Sequence, residues 1–174
     1  MTRTPGSSLD AALAAWLRAL ETCGEAGSVG AAVEPNVEIA RASGLGRHAG
    51  QVVEVISGAD NVARWLALTP PSLRFSLDGP PRVSDADEHL WEVDYAVEAD
   101  DFRNGGTWSL RLGPHGRIAF LRHVPRPLGE AAADEVRDTA AWRTYVAPLV
   151  PHAHDHDPHD HADHADGDSF RGER

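Results

Sequence analysis

Two patterns of apolar and polar residues divide the chain into helical and strand-forming regions. Between residues 9 and 20 apolar side chains recur every three or four positions, which predicts an amphipathic helix with one buried stripe. Residues 88–99 instead alternate between apolar and acidic side chains, which is typical of a half-buried strand. The apolar face of that strand carries Trp91, Val93, Tyr95 and Val97, and the acidic face carries Glu92, Asp94 and Glu98.

Capping residues and helix breakers predict the remaining elements. Ser7 or Ser8 can cap the first helix, which ends before Gly24. Asp60 can cap another helix, which ends before Pro70. A helical turn over 29–33 and strands over 36–42 and 51–57 lie between them, and strands over 72–79, 88–99, 105–113 and 116–124 and a final helix over 129–150 follow. Helices segregated from antiparallel strands predict an α+β fold.

Composition and charge limit the partners of the protein. The chain has 174 residues, 41% of them hydrophobic, which suits one domain with a core and a tail. Its formal net charge of −11 repels phosphate backbones, so we expect no nucleic-acid partner. All basic residues are Arg, which indicates a GC-rich bacterial genome. Cys23 is the only cysteine, which excludes an intramolecular disulfide.

The sequence also predicts the compartment. The N-terminal stretch "MTRTPGSS" lacks the apolar segment of a signal peptide. No apolar run approaches the roughly 20 residues that span a bilayer. We therefore predict a cytoplasmic protein with no membrane partner.

Five stretches carry a resemblance to a known family: "VEIARASG", "VVEVISGADNVARWLALTP", "HLWEVDYAVEA", "GTWSLRLG" and "GRIAFLRHV". Their order, over about residues 8–125, resembles the SnoaL-like group of the nuclear transport factor 2-like superfamily. The resemblance implies a cone-shaped roll, in which a curved antiparallel sheet packs on N-terminal helices around an apolar pocket. It divides the chain into a cone domain (8–128), a C-terminal helical extension (129–150) and a His/Asp-rich disordered tail (151–174).

The resemblance leaves the function open, because members include isomerases, cyclases, dehydratases, epoxide hydrolases and non-catalytic binding or dimerising domains. Family enzymes place acids, His or Tyr inside the cone, and isomerase members use a Tyr on the first helix. This chain has Trp16 there, and an indole N–H cannot act as an acid. Glu92 or Asp94 is predicted to pair with Arg111 across strands, on an exposed or dimer-forming outer face of the sheet.

No complete catalytic constellation is identified, and whether the protein is an enzyme stays open. The candidates are His48, in a Gly-rich loop at the cone mouth, and Tyr95, the polar residue on the inward face of its strand. The register of the last strand is also open. If Ile118 and its even-numbered neighbours point inward, His123 faces the polar side and Arg122 faces the core.

Large aromatic side chains could line a pocket for a small apolar molecule or simply fill the core. The set comprises Trp16, Trp65, Trp91, Tyr95 and Trp108.

The segment "PHAHDHDPHDHADHADGD" (151–168) predicts a metal-binding tail. Histidines alternate along it, so in an extended chain neighbouring imidazoles fall on one side and can close on one ion. Imidazole suits divalent Zn, Ni, Co or Cu, and no cofactor is required elsewhere. The predicted ligands are His152, His154, His156, His159, His161 and His164. Physiological metal capture and incidental binding by a solubilising acidic tail remain alternatives.

Three functions follow. The first is a small-molecule-binding or dimerising domain, with a homodimer through the sheet face, whose tail binds metal. The second is an isomerase-, cyclase- or hydrolase-type enzyme acting on a small apolar substrate. The third is a metal storage or delivery protein.

Overall fold

A computed structural model describes residues 5–44, 48–100 and 102–128, and the side chains from residue 8 onward. The predicted helix over 129–150 and the tail over 151–174 lie outside the described residues. The elements are α1 (Pro5–Glu21), α2 (Ala26–Ala32), β1 (Val33–Ala42), β2 (Val52–Ser57), α3 (Ala59–Leu66), β3 (Arg74–Leu77), β4 (Arg82–Val83), β5 (Trp91–Ala99), β6 (Phe102–Leu112) and β7 (Ile118–Pro125). No helix among these residues is long and apolar enough to cross a membrane.

The strands form one open, curved sheet in the order β2-β1-β7-β6-β5-β3, with β4 paired to β5. Every junction is antiparallel except β1–β7, which is parallel. The α+β cone architecture predicted from the sequence is confirmed. The prediction of a purely antiparallel sheet is wrong. The last strand, β7, lies beside β1 and runs in the same direction.

The helices cover the inner face of this sheet with the apolar stripe that the sequence predicts. Leu13 and Trp16 of α1 and Val62 of α3 are fully buried. Helix α1 begins at Pro5, earlier than the predicted caps, since proline is accommodated in a first helical turn. The helix ends at Glu21, and Gly24 follows in the turn, where a φ of +80° and contact with the α3 backbone exclude a side chain.

The register of β7 resolves the question left open by the sequence. Leu121, His123 and Pro125 are buried, whereas Arg122 is exposed. An irregularity in the β6–β7 pairing near Leu112 lets Ile118 point inward as well, although it has the opposite parity. The inward face of β7 therefore presents an imidazole and no guanidinium.

The acidic outer face of β5 has a different partner from the one predicted. Arg82 of β4 lies 2.9 Å from Asp94 and 3.3 Å from Glu92, whereas Arg111 stands over the ring of Phe120. The predicted pairing with Arg111 is wrong, because β4 is too short to show a period and was not foreseen. The Asp94 pKa is lowered by hydrogen bonds from Arg82 and Thr107.

Candidate functional site

Three neighbouring strands bring together the most buried polar side chains on the inner face of the sheet. Tyr95 lies on β5, Trp108 on β6 and His123 on β7, and Trp108 and His123 are directly opposed. The Tyr95 hydroxyl crosses β6 to reach His123 Nε2 at 2.9 Å. The glycine at position 106 leaves room for the Tyr95 side chain to pass over β6, because a Cβ there would lie 2.8 Å from the hydroxyl oxygen.

The hydrogen bonds assign the tautomer of His123. Trp108 Nε1–H, which can only donate, lies 3.3 Å from His123 Nδ1. Nδ1 must therefore be the unprotonated nitrogen, and the neutral ring carries its proton on Nε2 and donates it to Tyr95 Oη. Burial, and then the nearby positive charge of Arg41, lower the pKa of His123 to about 3. The imidazole is consequently neutral at physiological pH.

Aromatic rings pack around this trio. The rings of Tyr95 and Trp108 stack with centroids 4.5 Å apart, and Phe75 and Trp16 contact Trp108 at 6.4 and 6.2 Å. The indole N–H of Trp16 is buried and has no acceptor within residues 5–44, 48–100 and 102–128. Burial of Tyr95, Trp108 and His123 to 2% exposure or less means that a substrate would have to open the core to reach them.

Arg41 is a buried cation beside this core. It lies on β1 directly opposite Glu54 of β2, with which it forms an ion pair. Its guanidinium stands over the ring of Trp65, 5.0 Å from the centroid. Trp65 also packs edge-on against His123 at a centroid distance of 6.4 Å. Trp65 therefore contacts both the buried imidazole and the buried guanidinium.

A cleft of about 410 Å³ opens on Arg41 and Trp65 between β2 and α3. Exposed apolar side chains flank it: Val55 is 52% exposed and Leu68 is 63% exposed. Asn61 and Ser57 supply polar groups to the lining, and the Asn61 side chain is held by a hydrogen bond that it donates to the Ser57 carbonyl. The lining consists of Arg41, Glu54, Val55, Ile56, Ser57, Asn61, Arg64, Trp65 and Leu68.

The structure distributes the predicted site residues over several places. Trp65 lines the cleft, whereas Trp16, Tyr95 and Trp108 pack in the core and Trp91 is half-buried near its edge. His48 lies in the β1–β2 connection, 3.0 Å from the side chain of Gln51. The six tail histidines lie outside the described residues.

Sequence reasoning missed Arg41 and Glu54, and it left the orientation of His123 open. The signal for His123 was the parity of Leu121, which the irregularity in β7 obscured. The sequence signal for burial of Arg41 is its position between the apolar Ala40 and Ala42 on β1. Among the described residues, no group of three or more His, Cys, Asp or Glu side chains could hold a metal ion.

Comparisons with known proteins agree with this architecture. No protein-family model and no curated protein matches the sequence. A candidate ketosteroid isomerase from Kribbella flavida superposes with a TM-score of 0.55 at 15% identity, covering 73% of this chain and 84% of that one. A protein of unknown function with a cystatin-like fold from Methylobium petroleophilum gives 0.55 at 14% identity, covering 74% and 82%. A candidate isomerase of the SnoaL-like family from Agrobacterium tumefaciens gives 0.50 at 18% identity, covering 67% and 95%. At these identities the likeness establishes a shared fold.

Proposed function

The chain has the nuclear transport factor 2-like fold of the SnoaL-like type, and on that premise we propose that it binds a small, largely apolar molecule in the cleft between β2 and α3. The cleft volume of about 410 Å³ carries this proposal, because it falls within the roughly 300–1,000 Å³ of typical small-molecule sites. An apolar wall with a few fixed polar groups is the usual composition of such sites.

The apolar wall offers a ligand surface that the folded protein leaves exposed. Val55 and Leu68 would each lose contact with water when covered, at about 25 cal/mol for every Å² buried. Trp65 supplies a flat ring at the floor, 9% exposed, and Ile56 extends the apolar surface. Binding here requires no opening of the core.

The geometry favours binding over catalysis. A general acid or base works best when its pKa lies near the working pH, whereas the pKa of His123 is lowered to about 3. The Tyr95 hydroxyl accepts a hydrogen bond from the imidazole N–H inside a packed core. These contacts suit a structural network that fixes one arrangement of the inner face.

The enzyme function remains the second candidate, and Tyr95 and His123 favour it because two ionisable groups converge at 2.9 Å. Turnover of any isomerase- or hydrolase-type substrate that is abolished by Tyr95→Phe, in a variant that keeps its fold, would place this candidate first.

The binding proposal is tested with octanamide, an uncharged amphipathic molecule. We expect saturable binding by NMR titration, weakened by about threefold or more in Val55→Ser, since burial of an apolar side chain is lost. Val83→Ser is the matched control, because Val83 is 49% exposed on β4, away from the cleft, and should leave binding unchanged. Equal affinities of the two variants, or no saturable binding, would contradict the proposal.

We also propose that the tail (151–174) binds divalent Zn, Ni, Co or Cu through its alternating histidines. Imidazole ligands must be unprotonated, so binding should weaken as pH falls below about 6.5. Calorimetry with Ni²⁺ should show binding to the full chain and little to a chain ending at residue 150. Equal binding by both would assign the metal to another part of the protein, and storage or delivery would lose its support.

A homodimer through the outer face of the sheet is a further part of the proposal. That face carries Phe120, half-buried beneath Arg111, and the acids paired to Arg82. Sedimentation equilibrium should give twice the chain mass, and Phe120→Glu should return the monomer. A monomeric wild-type protein would remove this part of the proposal. Cytoplasmic location stays a prediction from the sequence.

A further inference from the structure

From the charges at the floor of the cleft we infer that its ligand is an amphipathic carboxylate, and that Glu54 occupies the position of the ligand's carboxylate in the free protein. This inference rests on the proposed function and names the chemical class of the ligand. It differs from an apolar-ligand site in requiring a specific cation, Arg41.

The guanidinium of Arg41 is held in place by its surroundings and is suited to bind an anion. Its side chain is only 4% exposed although it borders the cleft, and the Trp65 ring fixes its guanidinium plane. An ordered guanidinium binds a carboxylate with little loss of side-chain entropy, because its planar fork is already oriented. Charge-assisted hydrogen bonds of this kind are roughly twice as strong as neutral ones.

Glu54 is a displaceable partner for this cation. Its side chain is 49% exposed, so the carboxylate itself can turn into solvent and be hydrated there. Arg41, by contrast, is buried, and loss of the Glu54 carboxylate from its side would be strongly destabilising unless another anion replaced it. A carboxylate delivered by a ligand would meet that requirement in place of Glu54.

The other charges around the cleft agree with an anionic ligand. Arg64 of α3 lines the same cleft and forms a 3.2 Å hydrogen bond to Asn61 at its rim. The lining thus holds two guanidinium groups and one carboxylate. If Glu54 turns outward, two cations face the end of the apolar surface formed by Val55 and Leu68.

The residues that line the cleft indicate the form of the ligand. Arg41 lies at the β1 side of the cleft, and Leu68 lies just beyond the end of α3 on the other. A molecule with a carboxylate at one end and an apolar body would satisfy both. Medium-chain and aromatic carboxylic acids have this form.

The experiment compares octanoate with octanamide, which share an apolar chain and differ in charge, by titration of the full-length protein at pH 7.5. For the wild type we expect octanoate to bind several-fold more tightly than octanamide. In Glu54→Gln the competing carboxylate is gone, and we expect the preference for octanoate to increase by about tenfold, the equivalent of one charge-assisted hydrogen bond. In Arg41→Gln we expect the preference to disappear while octanamide still binds.

Matched variants keep the inference falsifiable. Glu38→Gln removes an exposed carboxylate from the strand that carries Arg41 and should leave the preference at its wild-type value. Thermal unfolding checks that Arg41→Gln and Glu54→Gln are both folded, and whichever of them is folded decides. An unchanged or smaller preference in Glu54→Gln would overturn the inference while leaving the proposed function intact. Failure of both compounds to bind the wild type would overturn the proposed function itself.

Discussion

Tyr95 and His123 lie 28 positions apart in the sequence and share a 2.9 Å hydrogen bond inside the cone, in which the imidazole is the donor. The direction follows from Trp108, whose indole N–H takes the other ring nitrogen as its acceptor. A neutral imidazole satisfied on both nitrogens is a stable core component, because each buried polar atom has a partner. The pair therefore fixes the pairing of β5, β6 and β7 from the inside.

The pH dependence of stability should report the neutral state of His123. An unfolded chain protonates this imidazole near its ordinary pKa of 6.5, whereas the folded chain does so only near a pKa of about 3. The unfolded state binds the extra proton between these values, so this group lowers the free energy of unfolding by roughly 1.4 kcal/mol for each unit that the pH falls. Its contribution is fully present above pH 6.5 and is lost towards pH 3.

Urea unfolding of His123→Asn between pH 7 and pH 5 checks this prediction. The variant is expected to show a smaller loss of stability over that interval than the wild type. His89→Gln removes an exposed histidine before β5 and should keep the wild-type slope. Parallel curves for the wild type and His123→Asn would mean that the folded and unfolded chains protonate this imidazole with the same pKa.

Glu34 of β1 is another buried ionisable group, and its carboxylate contacts the turn between β6 and β7. Its carboxylate accepts hydrogen bonds from the His115 backbone N–H at 3.1 Å and pairs with Nδ1 of the same residue at 2.8 Å. Burial by itself would raise the pKa of Glu34, but the bonds to His115 and the charge of Arg117 outweigh it and lower the pKa below its ordinary value. The resulting stability is present above pH 4.5 and is lost as the pH falls through the folded pKa.

Replacement of this carboxylate should destabilise the protein in a pH-dependent way. Glu34→Gln is expected to lower the free energy of unfolding at pH 7 by about 1–3 kcal/mol, the usual cost of disturbing buried hydrogen bonds. The difference from the wild type should shrink below pH 4.5. Glu38→Gln, on the exposed side of the same strand, should stay within about 0.5 kcal/mol of the wild type. A deficit in Glu34→Gln that does not change with pH would assign the effect to packing alone.

Two glycine-to-alanine substitutions should have opposite signs. In Gly106→Ala the new methyl group would lie 2.2 Å from the Val124 carbonyl oxygen and 2.8 Å from the Tyr95 hydroxyl, so we expect a loss of about 1–3 kcal/mol or more. In Gly30→Ala nothing lies within 4 Å, and the residue is inside α2, so we expect a gain of about 0.5–1 kcal/mol. Denaturant titration measures both, and a tolerated Gly106→Ala would mean that Tyr95 does not cross β6 there.

Much of the fold was predictable because long helices and strands show a clear period of apolar and polar residues in the sequence. The alternation in β5 places Val93, Tyr95 and Val97 inward, as predicted, since each successive strand residue changes face. The two residues of β4 are too few to show any period, so the partner of Asp94 was missed. The register of His123 depends on a local irregularity in strand pairing, which no single strand sequence records.

The cleft was less predictable than the sheet. Trp65 was expected to line a pocket, but its function as the wall between Arg41 and the core depends on how α3 sits on β1 and β2. The Arg41–Glu54 pair is set by strand register, and residues 13 apart in sequence give no sign of it. The contacts that form the cleft join residues of different elements, and the local sequence pattern of one element does not predict them.

The indole N–H resonances of the protein provide the most direct test of binding in the cleft. The chain contains five tryptophans, so the ¹H–¹⁵N spectrum reports each one separately during titration with octanoate. If the ligand occupies the cleft, the Trp65 resonance should move most, while those of Trp16 and Trp108 stay nearly still because they are buried behind it. Movement of the Trp16 resonance with Trp65 unaffected would place the ligand inside the core and contradict binding between β2 and α3.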